Sequence, residues 1–331
     1  MAIQGDGKIV VAGYSSVWAT GPGNFAVARY NADGSLDATF GALGVVITDF
    51  KLDPGDPSRN GAGQSVVVLG DGSLVVAGYV GVEGAPNDFA VARFNANGSR
   101  ILGFGTGGLA LAGFAGNGDD IGLSVAVQGD GKIAVAGYSA PGGSSNLALA
   151  RFNSDGSLDA TFGTGGKIVT DFGGEDHGYS LVIQADGKIL VAGDSSVGGT
   201  YNWVLVRYDT GGSLDASFGA GGKVTTDFGG IDAGLSVALR GDKIVAAGYS
   251  NAGGTNDFAV ARYNMDGVAP TPTPTFTPVP PTPTPTATPT PTPTPVPSVG
   301  SPGLLVLALG LATLARMAAT RGERAARARG L

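Results

Sequence analysis

The chain has 331 residues, with 59 glycines, no cysteine and only 14% charged residues. The absence of cysteine excludes a disulfide framework, a thiolate metal site and a cysteine nucleophile. The net charge is −7 although five arginines lie in the last sixteen residues, so the rest of the chain is acidic and lacks the basic surface that nucleic-acid binding requires.

Most of the chain before Asp266 consists of copies of one unit. Glycines that end an Ala-Gly pair are 55 to 65 residues apart, at Gly13, Gly78, Gly137, Gly193 and Gly248. An Arg-aromatic pair recurs with nearly the same spacing, starting at Arg29, Arg93, Arg151, Arg207 and Arg262. A period of this size indicates supersecondary units packed side by side.

Each copy contains four short apolar runs, a to d, which in the third copy span 123–128, 132–138, 146–153 and 167–172. These runs are rich in Val, Ile and aromatic residues and are bounded by turn residues, as β-strands are. The Gly-Asp-Gly joint between a and b predicts a tight hairpin. We therefore expect an all-β fold, a β-propeller of about five four-stranded antiparallel blades in residues 1–266. The copies span 2–50, 64–114, 123–172, 179–228 and 235–264, and the last one stops after strand c.

The repeat resembles a known bacterial family. The segments DGKIVVAGYS, NFAVARYNADGSLDATFG and GGKVTTDFGG are similar to the delta-60 repeat, a propeller-type repeat of secreted and surface proteins. The resemblance implies the architecture and an exported location, and it carries no shared chemistry. The second copy departs from the pattern, with Arg100-Ile101 in place of Leu-Asp and Gly113 in place of the aspartate of strand d.

The beginning of the chain bears on its location. Residues 1–4 already align with the end of strand a, and no basic and apolar leader precedes them. We expect this start to be internal to a longer reading frame with a signal peptide. The expected location is the cell surface, with the propeller outside.

The end of the chain has a different composition. Residues 267–298 alternate Thr and Pro, which predicts an extended polyproline II linker. An apolar segment and several arginines follow, so we expect a transmembrane helix at 299–320 and a basic cytoplasmic tail at 321–331. A permanent anchor and a processed sorting signal both remain open interpretations.

The c-to-d turns carry an acidic pattern, which in the first copy is Asn31, Asp33 and Asp37. Oxygen ligands at alternate positions are typical of calcium loops. The glycine stands at a different place, however, and no bidentate Glu follows. Because Asx and Gly residues are ordinary turn formers, we favour turns over calcium and expect no cofactor.

The repeated arginines on strand c are interpreted as structural. A buried guanidinium needs a carboxylate or carbonyl partner. Aspartates on strand d are candidates, namely Asp49, Asp171 and Asp227. The second copy lacks this aspartate, so Arg93 needs another partner.

The candidate ligand-binding residues lie on the variable b-to-c and d-to-a loops: Trp18, Glu83, Glu175, His177 and Tyr201. His177 is the only histidine, and its position between strands d and a predicts a solvated turn. The non-repeated acids provide no convincing catalytic pair. The preferred interpretation is therefore a non-enzymatic surface propeller that binds a ligand, glycan, matrix component or protein. The alternative is an extracellular hydrolase or lyase that acts on a polymer.

Overall fold

The computed structural model describes residues 1–15, 23–48, 59–82 and 84–267. In this part of the chain, nineteen strands form five antiparallel sheets, which are here called blades one to five. Four blades have four strands and the fifth has three. The expectation that the repeat region is all-β, with an incomplete last blade, is confirmed for the described residues.

The strands have the following bounds. Blade one contains β1 (Ala2–Ile3), β2 (Ile9–Ser15), β3 (Asn24–Tyr30) and β4 (Val45–Thr48). Blade two contains β5 (Arg59–Val68), β6 (Leu74–Val82), β7 (Asn87–Phe94) and β8 (Leu109–Ala112). Blade three contains β9 (Asp120–Val127), β10 (Ile133–Ser139), β11 (Asn146–Phe152) and β12 (Lys167–Thr170). The last two blades contain β13 (Asp176–Ile183), β14 (Ile189–Ser195), β15 (Asn202–Tyr208) and β16 (Lys223–Thr226), then β17 (Asp232–Arg240), β18 (Lys243–Ser250) and β19 (Asp257–Asn264).

The strand order within each blade follows the chain. Because neighbouring strands are antiparallel, the a-to-b and c-to-d turns lie along one edge of the blades, called here the turn rim. The b-to-c and d-to-a connections lie along the opposite edge, called the loop rim. The variable loops of the sequence analysis therefore belong to the loop rim.

The first strands of blades two to five begin earlier than expected. The fourth copy was expected to begin at residue 179, whereas β13 begins at Asp176. A β-bulge between Gly178 and Ser180 shifts the register, so β13 continues to pair with β14 as far as Ser195. The residues just before the bulge of the first strand therefore belong to a sheet and not to a loop.

The hydrophobic core lies between the blades. Each of four clusters combines buried side chains of two consecutive blades. The first strands of consecutive blades also contact one another. A serine on β5, β9 and β13 accepts a backbone N–H from the next first strand, in the pairs Ser65 with Val125, Ser124 with Leu181 and Ser180 with Val237.

The repeated arginine joins each blade to the next at the turn rim. Arg29 Nε donates to Asp37 at 2.7 Å, and its terminal nitrogen donates to the carbonyl of Ala96 in blade two at 2.6 Å. Arg151 and Arg207 are held in the same way by Asp159 and Asp215, and they reach Thr210 and Met265. The predicted carboxylate partners on strand d were wrong for Arg151 and Arg207, because the turn after strand c folds its own aspartate back onto the arginine.

The remaining two arginines differ from this pattern. Arg93 has Ile101 at the position of the aspartate, and one of its terminal nitrogens donates to the carbonyl of Ser154 at 3.1 Å. Arg262, in the blade that stops after strand c, is exposed. Asp49 lies outside the described residues.

The predicted linker, transmembrane helix and basic tail lie outside the described residues apart from Gly267. Within the described ranges, no helix has the length and apolar character needed to cross a membrane.

Candidate acid-base site on the loop rim of blade four

Three of the five candidate binding residues come together on the loop rim of blade four. Glu175 precedes β13, His177 lies on β13, and Tyr201 precedes β15. Trp18 and Glu83 lie outside the described residues. The antiparallel topology explains this grouping, because the starts of β13 and β15 and the end of β14 share one edge of the sheet.

His177 is buried, and the prediction that it occupies a solvated turn was wrong. It pairs with Asp194 across β13 and β14, and the residue is 6% exposed. Its Nδ1 lies 2.9 Å from Oδ1 of Asp194, which is completely buried. The bulge after His177 extends β13 far enough to place this side chain over Asp194.

Tyrosine rings enclose the imidazole of His177. Tyr179 stacks on it, with ring centres 5.8 Å apart and planes 7° apart, and its hydroxyl donates to Oδ2 of Asp194 at 3.2 Å. Tyr138 of blade three meets the imidazole edge-on at 4.9 Å and 78°. Asp194 thus receives hydrogen bonds at both oxygens, and the His177 ring is held in one orientation.

A second acidic group borders this pair. The hydroxyl of Tyr201 donates to Oε2 of Glu175. The ring of Tyr201 lies 6.4 Å from that of His177. Glu175 and Tyr201 are both partly exposed, whereas His177 and Asp194 lie deeper. Together, Glu175, His177, Tyr179, Asp194 and Tyr201 are called the rim site.

Blade four departs from the other blades at the positions that form the rim site. At the position of Asp194 the other blades have tyrosine: Tyr14, Tyr79, Tyr138 and Tyr249. At the position of His177 they have Ala62, Ile121 and Ala233, and at the position of Tyr179 they have Gln64, Leu123 and Leu235. These replacements turn an apolar and phenolic surface into a buried Asp-His pair.

Sequence reasoning missed Asp194 and Tyr179. The available signal was the change from Ala-Gly-Tyr to Ala-Gly-Asp at the fourth landmark glycine, Gly193. The Ala-Gly landmark identifies residues that recur, whereas Asp194 is informative because it replaces a recurring tyrosine. Its partner His177 could not be paired with it without the register that the bulge sets.

A neighbouring carboxylate has a structural role. Burial raises the pKa of Asp176, whose Oδ2 accepts the backbone N–H of Phe172 at 2.8 Å. Asp120 and Asp232 make the same bond in blades three and five and have raised pKa values for the same reason. Recurrence in three blades indicates that this aspartate closes the d-to-a connection.

The acidic c-to-d turns bind their own groups. Oδ1 of Asp33 accepts the backbone N–H and the hydroxyl of Ser35, and Asn31 donates to the same hydroxyl. Asp37 faces Arg29 and Lys8. In the described residues, no group of three or more His, Cys, Asp or Glu side chains is arranged to hold a metal ion.

The sequence matches one family model, described as "Domain of unknown function (DUF5122) beta-propeller". The matched residues are 4–40, 69–100, 128–162, 184–218 and 242–269, together just over half of the chain. Each matched segment covers the landmark glycine and arginine of one copy. No match was found among curated proteins.

Several solved structures are similar in fold. An α-L-arabinanase of Cellvibrio cellulosa, complexed with arabinohexaose, is 10% identical, with a TM-score of 0.38 over 81% of this chain and 92% of that one. An α-L-arabinofuranosidase of Clostridium thermocellum is 14% identical, with a TM-score of 0.37 over 78% and 92%. The extracellular domains 1–2 of Drosophila semaphorin 1b are 9% identical, with a TM-score of 0.38 over 74% and 49%.

Several of the similar structures are glycoside hydrolases, in contrast to the interpretation of the chain as a non-enzymatic binding propeller, and that interpretation is withdrawn. At these identities the likeness concerns the fold alone. What the chain can catalyse therefore has to be argued from its own side chains, and those of the rim site are the relevant ones.

Proposed function

The chain belongs to the DUF5122 β-propeller family, and we propose that the rim site makes it an extracellular enzyme that cleaves a polysaccharide by acid-base catalysis. The observation that carries this proposal is the His177–Asp194 pair, which only blade four among the described blades possesses. A repeat scaffold that acquires chemistry departs from its repeat at the place where the chemistry occurs.

The geometry of the pair suits proton transfer. An aspartate that accepts a hydrogen bond from Nδ1 fixes the tautomer of the imidazole and stabilises its protonated form. The reacting nitrogen is then Nε2. The hydroxyl of Tyr179 holds the same aspartate from the other oxygen, so the imidazole has one orientation for a general base.

Glu175 and Tyr201 supply the second proton-transfer group at the outer edge of the site. In hydrolysis, Nε2 of His177 takes a proton from water, whose oxygen forms a bond to the sugar carbon. The Glu175–Tyr201 pair gives a proton to the leaving oxygen as the glycosidic bond breaks. Glycoside hydrolysis requires an acid that protonates the leaving oxygen and a base that activates water, and the rim site offers one group for each role.

Aromatic side chains near the site favour a sugar polymer as the substrate. Tyr138 and Tyr201 are partly exposed on the loop rim beside His177. The equivalent tyrosines of other blades, Tyr14, Tyr79 and Tyr249, are also partly exposed on this rim. Aromatic faces bind the apolar faces of sugar rings, and a row of them suits an extended chain better than a single sugar.

The test is an activity assay of the full chain on arabinan, xylan and polygalacturonate, with reducing ends and unsaturated ends measured separately. We expect Glu175→Gln and His177→Ala each to lower kcat at least about 100-fold, the usual contribution of a general acid or base. A matched control is Asp119→Asn, which changes the corresponding carboxylate of blade three. It should leave the rate unchanged.

A stronger variant restores the repeat in blade four. His177→Ala, Tyr179→Leu and Asp194→Tyr together install the residues of blade five. This variant should fold with equal or higher Tm, because functional polar groups are replaced by packing groups, and it should have no activity. Turnover that survives in this variant, or no turnover by the wild type on any of the three polymers, would refute the proposal.

A further inference from the structure

Blade five has an apolar face that the described structure leaves uncovered. Phe258 is 75% exposed and Val260 is 53% exposed. Their equivalents in the other four blades are at most 2% exposed: Phe25, Phe89, Leu147 and Trp203 for Phe258, and Val27, Val91, Leu149 and Leu205 for Val260. The same surface is therefore interior in four blades and exterior in one.

The equivalent face is covered by the following blade wherever one is present. Phe25 and Val27 of blade one pack in a cluster with Leu74 and Val76 of blade two. Trp203 and Leu205 of blade four pack with side chains of blade five, including Ile244. The internal junctions therefore show which surface fits this face. It is the surface of the first two strands of another copy of the repeat.

Two polar groups on blade five also face outwards where their equivalents cross to the next blade. Ser236 is exposed, whereas Ser65, Ser124 and Ser180 accept a backbone N–H of the next blade. Arg262 is exposed, whereas the other four repeated arginines donate to a carbonyl of the next blade. Blade five therefore carries a serine and an arginine of the kind that cross each internal junction, both of them exposed.

Blade one carries the matching acceptor side. Ile9 is half-buried, and its equivalents are at most 1% exposed: Leu74, Ile133, Ile189 and Ile244. Ile3 is 68% exposed, and its equivalents Val68, Ile183 and Leu239 pack against the cluster shared with the preceding blade. Both ends of the described arc are thus halves of the interface that forms four times within it.

We propose that two copies of this chain associate head to tail, with blade five of one copy packed on blade one of the next. The interface is heterologous, so repetition gives a closed ring if the rotation permits and an open filament if it does not. Solenoid-type proteins that remain single have a polar outer face on their terminal repeat, and blade five does not have one. This inference does not depend on the proposed function.

Cysteine cross-linking tests the contact directly, since the chain has no cysteine of its own. The variant pair is Val260→Cys and Ile9→Cys, made in separate full-length chains and mixed under mild oxidation. Its internal equivalent, Leu149→Cys with Ile189→Cys in one chain, lies within one cluster and is the positive control. Val260→Cys mixed with Val169→Cys is the negative control, because Val169 is exposed on the outer strand β12.

The expected result is a disulfide between Val260→Cys and Ile9→Cys chains that increases with concentration, with none for the negative control. In addition, Phe258→Lys should move the sedimentation profile towards the monomer without lowering Tm. A doubly substituted chain that cross-links only with itself would show instead that one arc closes, and would overturn the proposal. No cross-link between the two chains, with the internal control formed, would also overturn it.

Discussion

One carboxylate organises three of the four junctions at the turn rim. Asp159 accepts from Arg151 and from the hydroxyl of Thr161, both at 2.7 Å, and it faces Lys132 at 3.1 Å. Burial opposes its ionisation, but hydrogen bonds from Thr161 and Lys132 outweigh burial and hold the pKa of Asp159 well below its usual range. The ionised form is therefore the one that stabilises the fold.

This predicts opposite effects for the same substitution at two aspartates. Asp159→Asn should destabilise the protein at neutral pH by about 2 kcal/mol, the loss expected for hydrogen bonds to a charged group. Because the folded pKa is depressed, the stabilisation is present above the unfolded pKa, and the difference from wild type should shrink as the pH falls below it. Chemical denaturation from neutral to acidic pH measures both effects.

Asp232→Asn is the matched comparison. Burial raises the pKa of Asp232, so ionisation at neutral pH costs stability. The amide oxygen of Asn can still accept the N–H of Phe228. This variant should equal or exceed the wild type at neutral pH, and its advantage should shrink in acid. If both variants were destabilised by the same amount at every pH, the shape of the side chain, and not its charge, would determine the stability at these two positions.

Arg93 provides a prediction in the stabilising direction. Its Nε is buried without a hydrogen-bond partner in the described chain, because blade two has Ile101 where the other junctions have aspartate. Ile101→Asp with Ser73→Lys recreates the arrangement of blade three. We expect a gain of about 1 kcal/mol, the cost of an unsatisfied donor less the lost apolar contact, seen as a rise in Tm of about 2 to 4 °C. Ile101→Asn is the uncharged control and should give less.

The recurrence of these arginines in the sequence predicted their structural role, but it did not predict their hydrogen-bond partners. Several aspartates recur in the same unit, and spacing does not distinguish Asp159 in the turn from Asp171 on the connection after β12. The turn conformation makes the choice, with the N–H of Asp159 bonded to the carbonyl of Arg151. The prediction that His177 occupies a solvated turn was wrong for a related reason. A bulge moves a residue from a loop into a sheet without any change in the local composition.

At the scale of strands, alternation and turn residues were sufficient to predict the number of strands in each blade. The main error concerned the starts of the first strands, where a bulge after a glycine, Gly178 in blade four, continues the pairing. A Cβ at Gly178 would lie 2.9 Å from a methyl of Val191, and one at Gly193 would lie 1.7 Å from the carbonyl oxygen of His177. Close approach of the two strands therefore requires glycine at both positions, and Gly193→Ala should unfold blade four.

The strands also differ in how well they are protected. β19 is an edge strand with exposed Phe258 and Val260, whereas β14 is buried along its whole length. Hydrogen exchange should be fastest in blades one and five and slowest in β10 and β14. Protection that increased in β19 with protein concentration would be the mark of the head-to-tail contact, and slowest exchange in blade one would contradict the ranking.

At the scale of the molecule, the remaining prediction is that residues 299–331 anchor the chain in a membrane. The apolar segment and the arginines behind it lead us to propose that the chain is anchored with the propeller outside. Deleting residues 303–331 should release the protein from the membrane fraction. If the shortened protein sediments with membranes as before, the anchor lies elsewhere.

The groups that cross each junction at the turn rim are largely backbone atoms on the receiving side. The arginines donate to the carbonyls of Ala96, Ser154, Thr210 and Met265, four residues with unrelated side chains. A second bond of each junction runs from a glycine N–H to another carbonyl of the same turn, as from Gly105 to Asp155. At the turn rim, the docking of one blade on the next therefore depends little on the side chains of the receiving blade. A duplicated or deleted blade would therefore inherit the bonds of its junction at the turn rim without a compensating mutation.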